Sequence, residues 1–217
     1  MSKIIIYDAY GTLFDVTSVD KAIAEYYPEQ AKSIGALWRK KQIEYAFIKQ
    51  MTGNYEPFSE VTRQALRYAL SIETGAEVKD VVDRCMQAYE KLDLFPESLE
   101  VLKQQQGVTN VILSNGSRDM LEPLIENSSI SGYIDKVISI DDIKQYKPSQ
   151  AAYQYGLRQF DTSRDKILFI SSNTWDIVGA KTFGYKTFWI NRGDTDFEKG
   201  RIQPDEEAAD LKGILNN

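Results

Sequence analysis

Histidine is absent from the 217-residue sequence. It is the commonest general base near neutral pH and a frequent zinc ligand, so its absence excludes Ser-His-Asp and Cys-His catalytic sets and most zinc sites. Any catalytic chemistry must therefore use carboxylates, Lys or Arg, or side chains with hydroxyl or amide groups.

Cysteine is almost absent, because Cys85 is the single thiol. One cysteine excludes an internal disulfide framework and is typical of a protein that works in the reducing cytoplasm. Cys85 lies within a helical pattern, so we interpret its thiol as a buried structural group rather than a nucleophile.

Excess positive charge and long apolar segments are also missing. The formal net charge of −6 argues against nucleic-acid binding, which needs a basic face, and no polybasic segment is present for a membrane surface. Every apolar run has the length of a strand, and the N-terminus enters such a strand without a signal-peptide cleavage site. We therefore expect no nucleic-acid partner and no membrane partner.

The first apolar segment, residues 3–7, contains three consecutive isoleucines and predicts a strand that is buried on both faces. It ends at Asp8, which is followed by a loop with Gly11 and Thr12. In open α/β sheets, ligands bind beyond the carboxyl ends of the strands, so Asp8 is a candidate functional carboxylate. The alternative is that Asp8 only caps a turn.

The remaining chain divides into a helical part and an alternating part. Apolar spacing predicts helices over residues 19–27, 29–50, 58–72 and 78–92, with no strand between residues 16 and 94. Strands are then predicted over residues 110–114, 136–140, 166–171 and 186–190, and helices over residues 98–106, 118–126, 149–160, 175–183 and 205–215. This alternation predicts an α/β fold with a parallel, doubly wound sheet whose strand carboxyl ends share one edge.

Polar side chains follow several of the predicted strands. Ser114 and Asn115 follow the second strand, Lys147 comes shortly after the third, and residues 171–176 follow the fourth. Each of these polar segments alone is typical of an ordinary turn or helix cap. Because the topology brings all of them to the edge where Asp8 lies, together they indicate one functional site.

These residues resemble the motifs of the haloacid dehalogenase superfamily, and within it the L-2-haloacid dehalogenases. The matching segments span nearly the whole chain: residues 8–15, 113–116, 146–148 with Tyr153, 171–184, and 37–45 in the helical part. The resemblance implies a Rossmann-like core formed by residues 1–15 and 95–217. It also implies a helical cap, residues 16–94, inserted after the first strand.

The residue at position 10 separates the dehalogenases from their phosphatase relatives. Phosphatases of this superfamily carry an acidic aspartate there and hold magnesium with carboxylates on the fourth loop. This sequence has Tyr10, and the fourth loop offers Ser172, Asn173 and only one acid, Asp176. Magnesium prefers carboxylate oxygens, so we predict no metal and no cofactor. The alternatives are that Tyr10 is simple packing and that the protein is a phosphatase of small phosphorylated metabolites.

The resemblance implies covalent catalysis. Asp8 would attack the α-carbon of a short-chain L-2-haloalkanoic acid, releasing halide and forming an ester, and water would hydrolyse that ester to a D-2-hydroxy acid. This requires an ionised Asp8, which a neighbouring ammonium favours, and Lys147 is the candidate. The alternative for Lys147 is a solvated position in a loop.

The resemblance also implies roles for the residues that would bind the substrate. Arg39 and Asn115 would bind the departing halide, and Ser114 would bind the substrate carboxylate. An apolar wall around the alkyl group would be formed by Tyr10, Ile43, Phe58 and Trp175. The alternatives are a surface salt bridge for Arg39 and ordinary core positions for the wall residues.

The resemblance also implies which residues would take part in hydrolysis of the ester. Thr12 would orient Asp8, and Tyr153 matches the third motif. Ser171, Asn173 and Asp176 would position the hydrolytic water, with Asp176 as its base.

Three questions stay open at the level of sequence. Lys40 occupies a position that is often Gln in the family, and it adds charge to the site only if it points inward. Apolar cap residues such as Leu37 and Ile48 suit either a homodimer, as the resemblance suggests, or an internal core. A catalytically silent protein on the same fold is a third hypothesis, although such a protein would not need Asp8, Arg39 and Lys147 together.

Overall fold

The structure is a computed structural model that describes residues 3–75, 79–105 and 107–216. Two predicted helix boundaries, the start at Val78 and the end at Gln106, lie outside the described residues. Within the described part of the chain, no helix is both long and apolar enough to cross a membrane.

Among the described residues, eight strands form a large sheet and a small ribbon. Their bounds are β1 Lys3–Tyr7, β2 Phe14–Asp15, β3 Asp93–Leu94, β4 Val108–Ser114, β5 Lys136–Ser139, β6 Ile167–Ser171, β7 Lys186–Ile190 and β8 Glu206–Ala208. The large sheet has the order β5-β4-β1-β6-β7-β8, and all of its neighbouring strands are parallel. The predicted parallel sheet is confirmed, and β1 lies between β4 and β6.

Helices cover both faces of the sheet. Their bounds are α1 Asp20–Ala24, α2 Ala31–Thr52, α3 Phe58–Thr74, α4 Lys79–Tyr89, α5 Ser98–Gln104, α6 Arg118–Glu126, α7 Gln150–Leu157 and α8 Thr174–Phe183. Neighbouring residues of β1 face opposite sides: Ile6 packs in one apolar cluster and Ile5 in the other. Burying such a side chain contributes roughly 1.5–3 kcal/mol, so the central strand is anchored from both faces.

Helices α1 to α4 are inserted between the two strands of the ribbon. Phe14 pairs with Leu94, and Asp15 pairs with Asp93, in antiparallel register. The expectation of no strand between residues 16 and 94 was therefore wrong, because β3 lies there. Its pairing partner is about eighty residues away in the chain, and a local apolar pattern carries no signal for such a contact.

The predicted helix over residues 205–215 was also wrong. The chain instead forms strand β8 and then a 3₁₀ segment, Leu211–Asn216. The Asp205 carboxylate accepts a hydrogen bond from the backbone N–H of Thr187 at 2.8 Å, which aligns the segment against β7. Pairing with the sheet edge overrides the helical propensity of a segment rich in Glu and Ala.

The inserted helices lie over the carboxyl ends of the strands. The Tyr146 hydroxyl donates to the Glu56 carbonyl at 2.6 Å, and the Ser59 backbone N–H donates to Ser117 Oγ at 3.1 Å. Phe47 of α2 meets Trp175 of α8 edge to face, with ring centroids 5.3 Å apart. The edge of the sheet that holds Asp8 is thereby covered.

Candidate active site

Asp8 lies directly after β1, and only 4% of the residue is exposed. Its backbone N–H donates to the Ile170 carbonyl at 2.9 Å, which ties it to β6. The carboxylate faces four side-chain donors: Oδ1 accepts from Lys147 Nζ at 2.9 Å, and Oδ2 accepts from Asn173 Nδ2 at 2.7 Å and from Thr12 Oγ1 and Ser171 Oγ at 3.3 Å each. An ionised carboxylate, which only accepts, satisfies all four.

A tight turn after Asp8 fixes the position of Thr12. Gly11 has a φ of +86°, a left-handed conformation that glycine adopts without a steric penalty. Thr12 Oγ1 accepts from the Ser172 backbone N–H at 2.9 Å, and Ser172 Oγ donates to the Gly11 carbonyl at 2.5 Å. The loop after β6 thus holds the turn against Asp8.

Lys147 reaches Asp8 from the loop between β5 and α7, and its side chain is completely buried. Its ammonium donates to Asp8 Oδ1 at 2.9 Å, to Asp176 Oδ2 at 2.6 Å and to the Leu113 carbonyl at 2.9 Å. These three bonds use the full donor capacity of an ammonium group. Lys147 is therefore not a solvated loop residue.

Asp176 shares that ammonium from the first turn of α8 and is also fully buried. Its Oδ1 accepts from the Tyr153 hydroxyl at 2.7 Å. Burial raises the pKa of Asp176 to about 6; Lys147 opposes this effect and the charge of Asp8 adds to it. Burial lowers the pKa of Lys147, but the two carboxylates outweigh it, so that pKa is raised and the ammonium stays charged.

Ser114 and Asn115 come at the end of β4, beside Asp8. The Asn115 side chain accepts from the backbone N–H of Lys147 at 2.7 Å and donates to its carbonyl at 3.3 Å. Asn115 therefore fixes the main chain from which the buried ammonium extends. Ser114 Oγ is fully buried and accepts from the Gly116 backbone N–H at 3.0 Å.

Arg39 approaches the site from α2 and is half-buried. Its guanidinium donates to Gln42 Oε1 at 2.7 Å and to the Tyr10 carbonyl at 3.4 Å. Gln42 is itself held, because its amide donates to Thr62 Oγ1 of α3 at 2.7 Å. Two helices thus fix a cation at the site, which differs from an ordinary surface salt bridge. Lys40, the next residue, is exposed and adds no charge to the site.

These groups line one small cavity. Its lining consists of Asp8, Tyr10, Arg39, Ile43, Phe58, Asn115, Lys147, Asn173 and Trp175. The other predicted site residues, outside this lining, are Thr12, Ser114, Tyr153, Ser171 and Asp176. The structure therefore brings the predicted nucleophile, cations and apolar wall together around one small space.

Arg192 and Glu97 support the site, and neither was predicted from the sequence. The Arg192 guanidinium donates to the Gly11 carbonyl at 3.1 Å and to the Thr12 carbonyl at 3.0 Å. Glu97 accepts from the same guanidinium at 2.6 Å and 3.1 Å, so the pair braces the turn after Asp8. A sequence pattern that could have indicated Arg192 is its position: polar residues Asn191 and Arg192 directly follow the predicted strand over residues 186–190.

Carboxylates do not accumulate at the site. Across residues 3–75, 79–105 and 107–216, no group of three or more Asp, Glu or Cys side chains is placed to hold a metal ion. Asp8 and Asp176 do come close to each other, but the Lys147 ammonium bridges them. The donor set is thus two carboxylates that share one buried cation.

The chain is similar in sequence to known proteins. Residues 2–184 match the model of the haloacid dehalogenase-like hydrolase family. The chain is 41% identical to haloacetate dehalogenase H-2 of Moraxella sp. (strain B), over 100% of this chain and 98% of that protein. It is 36% identical to the (S)-2-haloacid dehalogenase of Pseudomonas sp. (strain YL), over 98% of this chain and 93% of that protein.

Solved structures give the same result. The L-2-haloacid dehalogenase from Xanthobacter autotrophicus, with chloropropionic acid covalently bound, superposes with a TM-score of 0.92 at 31% identity. The match covers 100% of this chain and 98% of that one. The family resemblance read from the motifs is confirmed.

The shared cation generates a prediction about stability. Replacing Lys147 with Met should destabilise the fold by about 3–5 kcal/mol, because two buried carboxylates lose their partner. Unfolding in urea at pH 7 measures the effect. Lys21→Met is the matched control: Lys21 pairs with Asp93 at the surface, with 76% of its side chain exposed, so its loss should change stability far less. Equal losses for the two variants would contradict this reading of Lys147.

Proposed function

The chain belongs to the haloacid dehalogenase-like hydrolase family, and we propose that it hydrolyses short-chain L-2-haloalkanoic acids to D-2-hydroxy acids and halide. One observation carries the proposal: Asp8 faces a small, partly apolar cavity and shares a buried ammonium with a second carboxylate, Asp176. The relatives named for haloacetate and (S)-2-haloacid dehalogenation support the same chemistry.

The first step is a displacement at carbon. The Asp8 carboxylate forms a bond to the α-carbon while the carbon–halogen bond breaks on the opposite side, and the halogen leaves with the bonding electrons. The product of this step is an ester of Asp8. Four hydrogen bonds to Asp8 fix the direction in which the carboxylate points, which places the attacking group before substrate arrives.

Departing halide needs a positive or hydrogen-bonding partner. Arg39 lines the cavity, and its guanidinium is fixed by Gln42 at 2.7 Å. Asn115 lines the same cavity beside Lys147. We assign halide binding to Arg39 and Asn115, since the other lining cation, Lys147, already spends its three donors on protein acceptors.

The second step regenerates Asp8. Asp176 takes a proton from water, and the resulting hydroxide adds to the ester carbonyl carbon of Asp8. The intermediate collapses, the departing alkoxide takes the proton back from Asp176 and leaves as the hydroxy acid with an oxygen from Asp8, and the Asp8 carboxyl group then loses its proton to solvent. Tyr153 donates to one oxygen of Asp176 and Lys147 to the other, so both orient the base.

The site is built for displacement at carbon rather than for phosphoryl transfer. Tyr10 occupies the position of the second acid of phosphatases, and burial raises its pKa well above the usual range. It cannot act as a carboxylic acid does. Where a magnesium ion would need carboxylate oxygens, Asp8 and Asp176 face the Lys147 ammonium, whose charge repels a cation. We therefore propose that the reaction needs no metal.

The ribbon of β2 and β3 suggests the domain boundaries. We propose that residues 1–15 and 95–217 form the core and that residues 16–94 form a cap, because the chain leaves and re-enters the core at the paired strands. If the cap opens as one unit, the backbone amides of α2 and α3 should exchange hydrogen for deuterium at similar rates. Exchange of the α2 amides at the rate of the β1 amides would contradict the division.

An exposed apolar surface on α2 and α3 supports a homodimer. Ile48 and Met51 of α2 are 44% and 78% exposed, and Tyr68 and Ile72 of α3 are 38% and 58% exposed. Exposed large apolar side chains on two neighbouring helices are a feature of protein interfaces. Leu37, by contrast, is half-buried against the core. Sedimentation equilibrium should give a dimer that Ile72→Lys weakens, and a wild-type monomer would overturn the proposal.

We also propose a cytoplasmic location, on the basis of the state of the single thiol. Cys85 is the only cysteine, it is free and buried, and burial raises the pKa of its thiol to about 11. Such a protein gains nothing from an oxidising compartment. Fractionation of the native cells that found the enzyme outside the cytoplasm would contradict it.

The displacement predicts a single inversion at the reacting carbon. L-2-chloropropionate should release chloride and give D-lactate, because Asp8 attacks carbon once and water attacks only the ester carbonyl. Chloride titration and chiral chromatography measure both products. The same rate is expected with an excess of chelator. L-lactate from the L substrate would exclude the mechanism, and chelator-sensitive phosphate release from phosphorylated metabolites would favour a phosphatase.

The raised pKa of Asp176 predicts the acid limb of the pH profile. Water activation requires ionised Asp176, so turnover should fall about tenfold per pH unit as pH drops below about 6. Asp176→Asn should lower turnover by roughly 10²–10⁴-fold but still release one equivalent of chloride per site, since displacement does not need the base. Rapid-quench chloride measurement distinguishes the two steps. Loss of the chloride burst in that variant would place Asp176 in the displacement itself.

A further inference from the structure

The Tyr10 hydroxyl is buried and has no hydrogen-bond partner in the protein, and Tyr10 is one of the residues that line the cavity. Among all the side chains that the structure describes, the buried polar atoms lacking a hydrogen bond are the hydroxyls of Tyr10 and Ser149. Tyr10 lines the cavity with Asp8, whereas Ser149 does not. Because native proteins pair nearly all buried polar groups, an unpaired donor on a residue that lines a cavity points to a bound group.

The ring that carries this hydroxyl is held in place. It packs against Phe58 with ring centroids 6.0 Å apart and against Tyr89 with centroids 5.5 Å apart. The residue is only 3% exposed. Its main chain is fixed as well, because Asn173 Nδ2 donates to the Tyr10 carbonyl at 3.2 Å. The hydroxyl therefore has no route to bulk solvent by rotation of the ring.

Its location is defined by the loop after β4. A Cβ atom placed on Gly116 would lie 3.0 Å from the Tyr10 hydroxyl oxygen and 3.3 Å from Ser114 Oγ. The same atom would lie 2.9 Å from the ring, so the aromatic side chain fits only because residue 116 is glycine. The Tyr10 hydroxyl and Ser114 Oγ thus both border the space next to the Gly116 main chain.

The hydroxyl is a proton donor under all working conditions. Burial is the largest cause that raises the pKa of Tyr10, and the neighbouring Tyr89 adds to it, while Arg39 opposes both. A neutral phenol gives its strongest hydrogen bond to an anionic oxygen. Of the groups on a 2-haloacid, the carboxylate is that acceptor.

We propose that the Tyr10 hydroxyl donates a hydrogen bond to the substrate carboxylate, beside Ser114, and so selects acids over neutral haloalkyl compounds. This proposal rests on the proposed function and refines the role of Tyr10. Its ring belongs to the apolar wall, and its hydroxyl binds the carboxylate. Arg39 and Asn115 serve the halide, so the two ends of the substrate have separate donors.

Tyr10→Phe tests the proposal, because it removes one oxygen and keeps the ring. Propionate, a carboxylate without halogen, should bind the variant roughly 10–100-fold more weakly, in line with the loss of one hydrogen bond to a charged group. KM for L-2-chloropropionate should rise similarly, and chloride inhibition should stay unchanged. The melting temperature of the free protein should not fall, since the hydroxyl has no protein partner to lose.

Tyr7→Phe is the matched control. Tyr7 is also fully buried, but its hydroxyl donates to Asn110 Oδ1 at 3.2 Å and lies outside the cavity lining. This variant should melt at a lower temperature and bind propionate as the wild type does.

Two results would overturn the proposal. Unchanged propionate binding by Tyr10→Phe would mean that the hydroxyl does not reach the carboxylate, and weaker chloride inhibition with unchanged propionate binding would make it a halide donor. Calorimetry measures propionate binding directly and without turnover, so this test does not depend on whether the proposed function is correct. That function fails only if the wild type releases no chloride from any L-2-haloacid.

Discussion

The buried ammonium of Lys147 is the interaction on which the site depends. It joins Asp8 after β1, Asp176 on α8 after β6, and the Leu113 carbonyl in β4, so one cation connects three adjacent strands of the sheet. A buried charge without partners is strongly unfavourable, and here each of the three charges is tolerated because of the others. Burial, to which the charge of Asp8 adds, keeps the pKa of Asp176 raised although Lys147 lies 2.6 Å away. The same arrangement suits the proposed roles of Asp8 as nucleophile and Asp176 as base.

The helical part of the chain covers the site and adds a cation and an apolar wall to the groups that the sheet provides. Parallel strands deliver carboxylates, hydroxyls and amides to one edge, but that edge is open until α2 and α3 cover it. Arg39 brings a fixed cation from α2, and Phe58 at the start of α3 closes the apolar wall. The resulting cavity excludes bulk water from the position where an ester of Asp8 would form, which leaves hydrolysis to a water held by the protein.

Local sequence patterns were sufficient for the elements that position the nucleophile. The isoleucine run of β1 and the apolar runs of β4 and β6 predicted a parallel sheet, and the polar tails after them predicted where Asp8, Lys147 and Asp176 meet. Local patterns failed where a distant partner decides the conformation: Leu94 forms a strand because Phe14 pairs with it, and Glu206 is in a strand because β7 offers an edge. The brace formed by Arg192 and Glu97 was missed for the same reason, since the two residues are far apart in sequence. The unpaired hydroxyl of Tyr10 could not be foreseen either, because a sequence does not reveal which donors lack acceptors.

The most direct test of the account follows oxygen in a single turnover. With enzyme in excess over L-2-chloropropionate in ¹⁸O-labelled water, the ester mechanism gives lactate whose new hydroxyl oxygen is unlabelled, because it comes from Asp8. The label should then appear on Asp8, and mass spectrometry of the N-terminal peptide measures it. Labelled lactate with an unlabelled peptide would contradict the account, because it would mean that water attacks the α-carbon directly and that Asp8 is not the nucleophile.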